Sequence, residues 1–231
     1  AINSFSISKK EYAPWVEARF QEIKKGNIKH LIVDVQQNGG GTEGNENLLA
    51  SYLIKEAFQK YAFVSMLKEP YLRIQDDPDL VEDGYQLKGK KGQRGAFTLQ
   101  SNYYSNLGYK APDPDLMYDG KMYLLISGIT FSGGAEFASM IRMQNRAVIV
   151  GEESGGVYEG NVSGYNSSVK LKHSKIEVDI PIVHFRMNVK PNPQSRGVMP
   201  DYTVPQTASD FWQERNTKKA FVLEELLGIK D

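Results

Sequence analysis

The sequence predicts an α/β fold in which short buried strands alternate with helices. Three apolar runs carry this prediction: HLIVDV from His30, KMYLLIS from Lys121 and RAVIVGE from Arg146. The last two runs flank a segment with helical periodicity, and a strand, a helix and a strand in succession form the repeating unit of an α/β sheet. Clusters of glycine follow the first two runs, and sites in such sheets gather where strands end.

The elements of the amino-terminal part follow from the spacing of its apolar residues. A first helix is indicated over residues 12–23, and Gly26 provides its stop. Its start is open, because Ser8 begins a capping-box pattern whereas Pro14 suits the first turn of a helix that starts later. A second helix follows the first strand, with its apolar stripe over residues 48–57.

The remaining elements are less regular. YAFVSML from Tyr61 indicates a strand, after which residues 69–120 are polar and rich in Gly, Pro, Asp and Tyr, as in a loop or hairpin excursion from the core. Alternation in SVKLKHSKIEVDIPIV from Ser168 predicts an added β-hairpin region. Apolar residues over 220–227 mark a last helix, which Gly228 ends.

Length and composition fit a single globular domain over residues 1–231. Lys plus Arg equals Asp plus Glu at 28 each, so we expect neither a nucleic acid nor an anionic membrane as partner. The absence of cysteine excludes disulfides, thiolate zinc sites and a cysteine nucleophile. No apolar run approaches the roughly 20 residues of a membrane span, and no signal segment precedes AINSF, which we interpret as a trimmed or mature terminus.

A serine and two glycines stand where a strand meets a helix in LLISGITFSGGAEF. Serine is a good helix N-cap and glycine permits a tight turn, so spacing alone favours a plain capped helix. The alternative is that the turn exposes the Ser132 hydroxyl beside backbone N–H donors, with the glycines of LIVDVQQNGGG opposite. Paired N–H groups suit acyl transfer, because charge develops on the former carbonyl oxygen. Neither cluster has the pattern of a nucleotide-binding loop.

Four blocks of the sequence together resemble one protein family. They are LIVDVQQNGGG, TFSGGAEFASMIR, RAVIVGEESGG and RGVMPD, and they span Leu31 to Asp201. Their order and approximate spacing are similar to those of the C-terminal-processing, or tail-specific, serine proteases. The resemblance implies the Clp-protease/crotonase-like α/β fold, in which the nucleophilic serine begins a helix. It implies no metal and no organic cofactor.

The resemblance also implies roles for individual residues. The family block TxSAxE-F places the nucleophile on Ser132 and one N–H of the oxyanion hole on Gly133. The block D-x-R-x-N-x-GG places the second N–H on Gly40, with Gly39 and Gly41 as register alternatives.

Three positions depart from the family pattern. The bacterial processing proteases use a Ser–Lys dyad, and the position of that lysine is occupied here by Val157. Ala135 replaces the acidic residue that usually follows the nucleophile by three, and Gln36 replaces the arginine of DLR. The sequence is more similar to the tricorn-like branch, in which a histidine from an N-terminal segment serves as the base.

A serine without a base is a poor nucleophile near neutral pH, so each histidine is a candidate. His30 directly precedes a buried strand, His173 lies in the polar hairpin and His184 lies in an apolar run. A structural or surface role is the favoured interpretation for each. We therefore expect the general base to be a histidine outside this chain.

Other polar residues have structural interpretations that we prefer. Asp34 and Arg146 are expected to form structural hydrogen bonds or pairs, and Glu152 and Glu153 to lie in a polar loop, with orientation of a base as the alternative. An acidic cluster suits a solvated loop better than a calcium site. Its members are Asp76, Asp77, Asp79, Glu82 and Asp83.

The resulting expectation is the catalytic core of a serine endopeptidase. It would hydrolyse peptide bonds of polypeptide substrates through a Ser132 acyl-enzyme, together with an upstream N-terminal segment of the same protein. The resemblance places it in an extracytoplasmic compartment, periplasmic or secreted. The alternative is a catalytically inactive binding module on the same fold that carries an apolar ligand or a peptide, similar to the interphotoreceptor retinoid-binding modules.

Overall fold

The computed structural model describes residues 1–67, 90–91, 96–98, 107–163, 166–181, 183–191 and 196–229. The acidic cluster, and most of the predicted excursion over residues 69–120, lie outside the described residues. The helices are α1 (Lys9–Lys25), α2 (Asn45–Ser51), α3 (Gly133–Met143), α4 (Ala208–Trp212) and α5 (Thr217–Phe221), followed by a π-helical segment (Val222–Leu226). The strands are β1 (His30–Asp34), β2 (Phe58–Gln59), β3 (Tyr61–Leu67), β4 (Lys90–Lys91), β5 (Ala96–Thr98), β6 (Tyr109–Lys110), β7 (Lys121–Ile126), β8 (Val148–Gly151), β9 (Gly160–Asn161), β10 (Asn166–Lys170), β11 (Glu177–Pro181), β12 (Val183–Met187) and β13 (Tyr202–Thr203).

The chain forms two compact units. The first consists of Ala1–Phe58, Lys110–Glu159 and Val189–Asp231, and the second of Gln59–Tyr109 and Gly160–Asn188. Both glycine clusters and Ser132 belong to the first unit. The sequence-based expectation of one domain over residues 1–231 stays a prediction.

The first unit is built on a parallel sheet with the strand order β1-β7-β8-β13. The three apolar runs of the sequence form β1, β7 and β8, and Leu124, Leu125, Ile149 and Val150 are fully buried. Near-continuous apolar strands are typical of parallel sheets covered on both faces. Because the strands are parallel, the carboxyl ends of β1, β7 and β8 meet at one edge of the sheet.

Helix α1 begins at the capping box. The Ser8 hydroxyl oxygen accepts the backbone N–H of Glu11 at 3.3 Å and donates to the Glu11 carboxylate at 2.6 Å, while Pro14 lies inside the helix. Helix α2 packs against α1 and α3, and it ends at Ser51, earlier than the apolar stripe over residues 48–57 predicts.

The last helix differs in type from the prediction. Helix α5 widens after Phe221 into the π-helical segment, in which the Leu227 N–H donates to the Val222 carbonyl at 3.0 Å, and Gly228 with φ +68° follows. Val222 is fully buried against Tyr123 and other core residues, and the Leu residues of the last turns pack on the same cluster.

The second unit contains antiparallel sheets. One has the strand order β4-β5-β3-β12-β9, and β10 and β11 form a separate two-stranded sheet in which Val169 pairs with Val178. The predicted hairpin is therefore confirmed. Outside these sheets, β2 and β6 pair as a two-stranded sheet whose residues are divided between the two units. None of the helices within the described residues combines the length and apolarity needed to cross a membrane.

Candidate active site

Ser132 occupies a strained position between β7 and α3. Its backbone has φ +48° and ψ −127°, and it immediately precedes the first helical residue, Gly133. A non-glycine residue at such a φ costs about 1–3 kcal/mol, which the surrounding structure must offset. The Ser132 side chain makes no capping hydrogen bond, and its hydroxyl has no partner among the described residues. The half-buried Ser132 hydroxyl therefore does not cap the helix, as the hydroxyl of an N-cap serine usually does.

Hydrogen bonds to the first strand fix the turn that leads to Ser132. The buried Thr130 hydroxyl accepts the Ser127 N–H at 3.0 Å and donates to the Val35 carbonyl at 2.9 Å. The Phe131 N–H donates to the Asn38 carbonyl at 3.0 Å. The end of β1 and the loop after it therefore hold the backbone of the turn directly.

Gly40 lies against Ser132, as the two glycine clusters predict. A Cβ atom on Gly40 would lie 2.7 Å from the Ser132 Cβ, 2.9 Å from its Oγ and 2.9 Å from the Gly133 nitrogen. Gly40 also has φ +100°, which side chains rarely adopt. Only glycine fits this position without moving Ser132.

The backbone N–H groups around Ser132 differ in their partners. Those of Gly133, Gly39 and Gly41 have no acceptor among the described residues. The Gly40 N–H donates to the Asn38 Oδ1 at 2.9 Å, and the fully buried Asn38 side chain also donates to the Ile2 carbonyl at 3.0 Å. The Gly40 N–H is thus occupied in this structure, whereas the Gly133 N–H is open at the positive end of α3.

The segment GEESGG packs behind the turn that leads to Ser132. A Cβ atom on Gly156 would lie 2.5 Å from the Ala135 Cβ, and the Gly156 N–H donates to the Thr130 carbonyl at 3.2 Å. The glycine allows this close approach to the start of α3.

Both glutamates of the segment are paired. The Glu153 carboxylate accepts from the Arg196 guanidinium and, at 2.8 Å, from the Gly197 N–H. These bonds lower the pKa of Glu153, and the bond with Arg196 has the largest effect. Glu152 accepts from the Lys218 ammonium at 2.9 Å.

The histidines have other surroundings. His30 begins β1 beside the start of β7, whereas Ser132 follows the end of β7. About 16 Å of strand length therefore separates His30 from the end of the sheet at which Ser132 lies. His30 Nδ1 lies 3.5 Å from the Tyr123 hydroxyl. His173 and His184 belong to the second unit, and burial, with a smaller effect of Arg186, lowers the pKa of His184.

Arg146 and Asp34 make structural hydrogen bonds. The Arg146 guanidinium donates to the carbonyls of Leu53, Tyr118 and Gly120, and its burial lowers its pKa. The Asp34 carboxylate accepts from the backbone and side-chain amides of Gln36. The described residues hold no group of three or more His, Asp or Glu side chains placed to bind a metal.

Comparison with known proteins connects this geometry to a family. The family model of peptidase family S41 matches residues 1–204. The chain belongs to peptidase family S41. Among curated protein sequences, none matches this S41 chain.

Solved structures share the fold. Mature CPAF is 16% identical with a TM-score of 0.62, over 98% of this chain and 50% of that one. A predicted peptidase from Parabacteroides merdae is 19% identical with a TM-score of 0.55, over 97% and 59%. A predicted S41 protease from Bacteroides fragilis is 13% identical with a TM-score of 0.52, over 98% and 52%. This S41 chain thus has the Clp-protease/crotonase-like fold and spans about half the length of these structures.

Sequence reasoning did not single out three residues that shape the site: Asn38, Thr130 and Gly156. Asn38 stands directly before the three glycines, where its side chain is within reach of their N–H groups. This Asn-Gly sequence was the available signal, because asparagine side chains often bond the backbone two residues on. No local signal marks the bond of the Thr130 hydroxyl to Val35, which follows β1.

Proposed function

We propose that this S41 chain is the catalytic core of a serine endopeptidase with Ser132 as its nucleophile. The observation that carries the proposal is the uncapped Ser132 hydroxyl at positive φ beside the open Gly133 N–H. A strained turn of this kind exposes the nucleophile of α/β hydrolytic enzymes at the start of a helix. The substrate is a polypeptide, and the compartment that we propose is extracytoplasmic.

The reaction divides into acylation and hydrolysis. The Ser132 Oγ attacks the scissile carbonyl carbon as a base accepts its proton, and the carbonyl oxygen becomes an oxyanion. The same base returns the proton to the leaving amine, which gives an ester on Ser132. The base then accepts a proton from a water molecule that attacks the ester carbonyl, the bond from that carbon to the Ser132 Oγ breaks, and the base returns the proton to Ser132 as the carboxylic acid product leaves.

The proposed oxyanion donors are the N–H groups of Gly133 and Gly40. The Gly133 N–H needs no rearrangement, since it is open and lies at the positive end of α3. The Gly40 N–H must leave the Asn38 Oδ1 before it can donate to substrate. Gly39 and Gly41, whose N–H groups lack described acceptors, are the register alternatives.

The proposed base is a histidine outside this chain. Val157 stands where the family dyad would have its lysine, and it is a half-exposed apolar residue. The position of His30 at the start of β1, away from the strand ends near Ser132, supports this proposal. An upstream segment of the same protein would supply the histidine.

One observation favours a second candidate function, an inactive binding module for an apolar ligand or a peptide. The Gly40 N–H is held by Asn38, so one of the two proposed donors is closed in this structure. A module that had lost catalysis would have no need to open it.

Hydrolysis of unfolded casein separates these two functions. The protein with its upstream sequence should cleave casein, and Ser132→Ala should abolish cleavage, while Ser174→Ala, an exposed serine of the second unit, should leave it unchanged. Equal cleavage by the Ser132→Ala variant would refute Ser132 as the nucleophile, and no cleavage by the parent protein would favour the binding module.

A further inference from the structure

A cavity of about 580 Å³ lies at the carboxyl ends of β1, β7 and β8. Asp34 and Glu152 line it from strand ends, and residues 206–218 of the carboxyl-terminal region line its other side. This is the sheet edge at which α/β proteins bind ligands, and the volume is in the range of ligand sites.

The cavity lies near the proposed nucleophile, which does not itself line it. Its wall includes residues 127–129 of the turn that leads to Ser132. Ser132 follows Ile129 by three positions, so their Cα atoms are at most about 11 Å apart. An extended peptide rises about 3.3 Å per residue, so a side chain in the cavity would lie within about three residues of the scissile bond.

The two cations of the cavity wall are already paired. The Lys218 ammonium is 2% exposed and donates to Glu152 at 2.9 Å. The Arg215 guanidinium bonds Asp210 at 3.2 Å and Glu224 at 2.6 Å. Neither cation leaves an excess of positive charge for an anionic ligand.

Asp34, in contrast, has neutral partners. Its carboxylate accepts from the Gln36 backbone at 3.0 Å, from the Gln36 side chain at 3.1 Å and from the Asn216 side chain at 3.2 Å. No cation among the described residues pairs with Asp34 or with Glu214, a second carboxylate of the wall. The cavity therefore presents uncompensated negative charge.

We propose that this cavity binds a lysine or arginine side chain of the polypeptide substrate, with Asp34 as its principal charge partner. The inference rests on the proposed peptidase function. Ile129 and Phe211 line the cavity and are 55% and 66% exposed, so they offer apolar surface to the aliphatic part of such a side chain. A metal ion is a poorer occupant, because no three ligating side chains converge among the described residues.

Peptide binding to the Ser132→Ala protein tests this specificity without turnover. The probes are acetylated, amidated 12-residue peptides of Ala, Ser and Leu, with one lysine moved through every position, and a matched set with norleucine. We expect lysine peptides to bind about tenfold more tightly at one or two positions, and the advantage to shrink as salt rises. Equal affinity of the two sets at every position, or no binding of either, would overturn the proposal.

Substitutions locate the effect. Asp34→Asn should abolish the lysine advantage, and Glu214→Lys should reduce it by placing a competing cation on the wall. Glu56→Lys, an exposed residue that does not line the cavity, is the charge-matched control. If Asp34→Asn folds and still binds lysine peptides more tightly than norleucine peptides, the proposal is wrong. If Asp34→Asn does not fold, an unchanged lysine advantage in Glu214→Lys contradicts the proposal.

Failure of this inference differs from failure of the proposed function. Equal binding of lysine and norleucine peptides would leave Ser132-dependent cleavage intact and refute the cavity assignment alone. Conversely, hydrolysis that is independent of Ser132 would refute the nucleophile and leave a measured lysine preference standing.

Discussion

At the scale of single residues, the candidate site depends on backbone positions that few side chains tolerate. Ser132 has a positive φ, and Gly40 approaches it so closely that a Cβ atom would meet both its Cβ and Oγ. Asn38 joins the two loops, since its carbonyl accepts the Phe131 N–H and its side chain accepts the Gly40 N–H. Small displacements here would move the hydroxyl and the donors together.

Gly40→Ala should therefore impair catalysis while Gly39→Ala should not. The added methyl group on Gly40 must push Ser132 or the Gly133 nitrogen away, and misplacement of reacting groups by about 1 Å can lower rates about 100-fold. A Cβ atom on Gly39 meets nothing within 4 Å. Casein hydrolysis by the two variants, with melting temperatures to confirm folding, checks the prediction, and equal activity of both would contradict it.

The sequence predicted the structure least completely at the scale of single residues. The glycine clusters and Ser132 could be found because turns and close backbone approach require these residue types. The Asn-Gly sequence signals that Asn38 can bond the backbone two residues on, but it does not fix the state of the Gly40 N–H, because that also depends on the rotamer of Asn38, which the Ile2 carbonyl, 36 residues away, helps to fix. Likewise, serine at a helix start predicts a cap, and the positive φ that withdraws its side chain from that function has no local signature.

At the scale of elements, three parallel strands bring the site together. Their apolar runs were predictable because β7 and β8 are buried over nearly their whole length, which makes the hydrophobic pattern continuous, and β1, at the edge of the sheet, is half-buried. The π-helical segment could not be predicted. Its i+5 hydrogen bond accompanies the packing of Val222 on the sheet, and the residue types of the segment carry no signal for it. The carboxyl-terminal helices reach the same sheet edge and close one side of the cavity.

Asp210 links these helices and should make their stability depend on pH. Its carboxylate accepts from Thr217 at 2.8 Å, from Thr207 at 2.9 Å and from Arg215 at 3.2 Å. These bonds lower the pKa of Asp210, and the bond from Thr217 has the largest effect. A carboxyl group whose pKa is lowered in the folded state stabilises that state at pH values above its ordinary pKa of 3.8. This stabilisation is lost as the pH falls through the lowered pKa.

Thermal unfolding of the parent chain and Asp210→Asn at several pH values measures this effect. We expect the parent to melt higher near pH 7 and the difference to shrink below the ordinary pKa of aspartate, because protonation removes the charge that the variant lacks. A difference in melting temperature that is the same at pH 7 and in acid would show that the charge of Asp210 does not matter.

At the scale of the whole molecule, the S41 fold places a serine, an open N–H and a glycine loop at one sheet edge, and the proposed base is not among them. The fold could be predicted because four sequence blocks fall on or beside the strands of the parallel sheet and at the start of α3. The base could not be identified, since no histidine of the first unit lies at that edge and the chain spans about half the length of the solved structures.

The isolated chain should therefore be folded but weak or inert as a protease. Strands β7 and β8 of its parallel sheet are buried by other residues of the chain, whereas an unassisted serine hydroxyl reacts poorly near neutral pH. Casein hydrolysis by the chain alone, and with upstream sequence restored, measures the difference. Strong Ser132-dependent hydrolysis by the chain alone would place a base within it.

The central claim is that the Ser132 hydroxyl is a nucleophile and not a helix cap. In the protein with its upstream sequence, single-turnover peptide hydrolysis and melting temperature are measured together for the parent and Ser132→Ala. Because the hydroxyl makes no capping bond, the account predicts a variant of nearly unchanged stability that no longer hydrolyses peptide. A cap would cost about 0.5–2 kcal/mol when removed, so a destabilised variant with full turnover would contradict the claim.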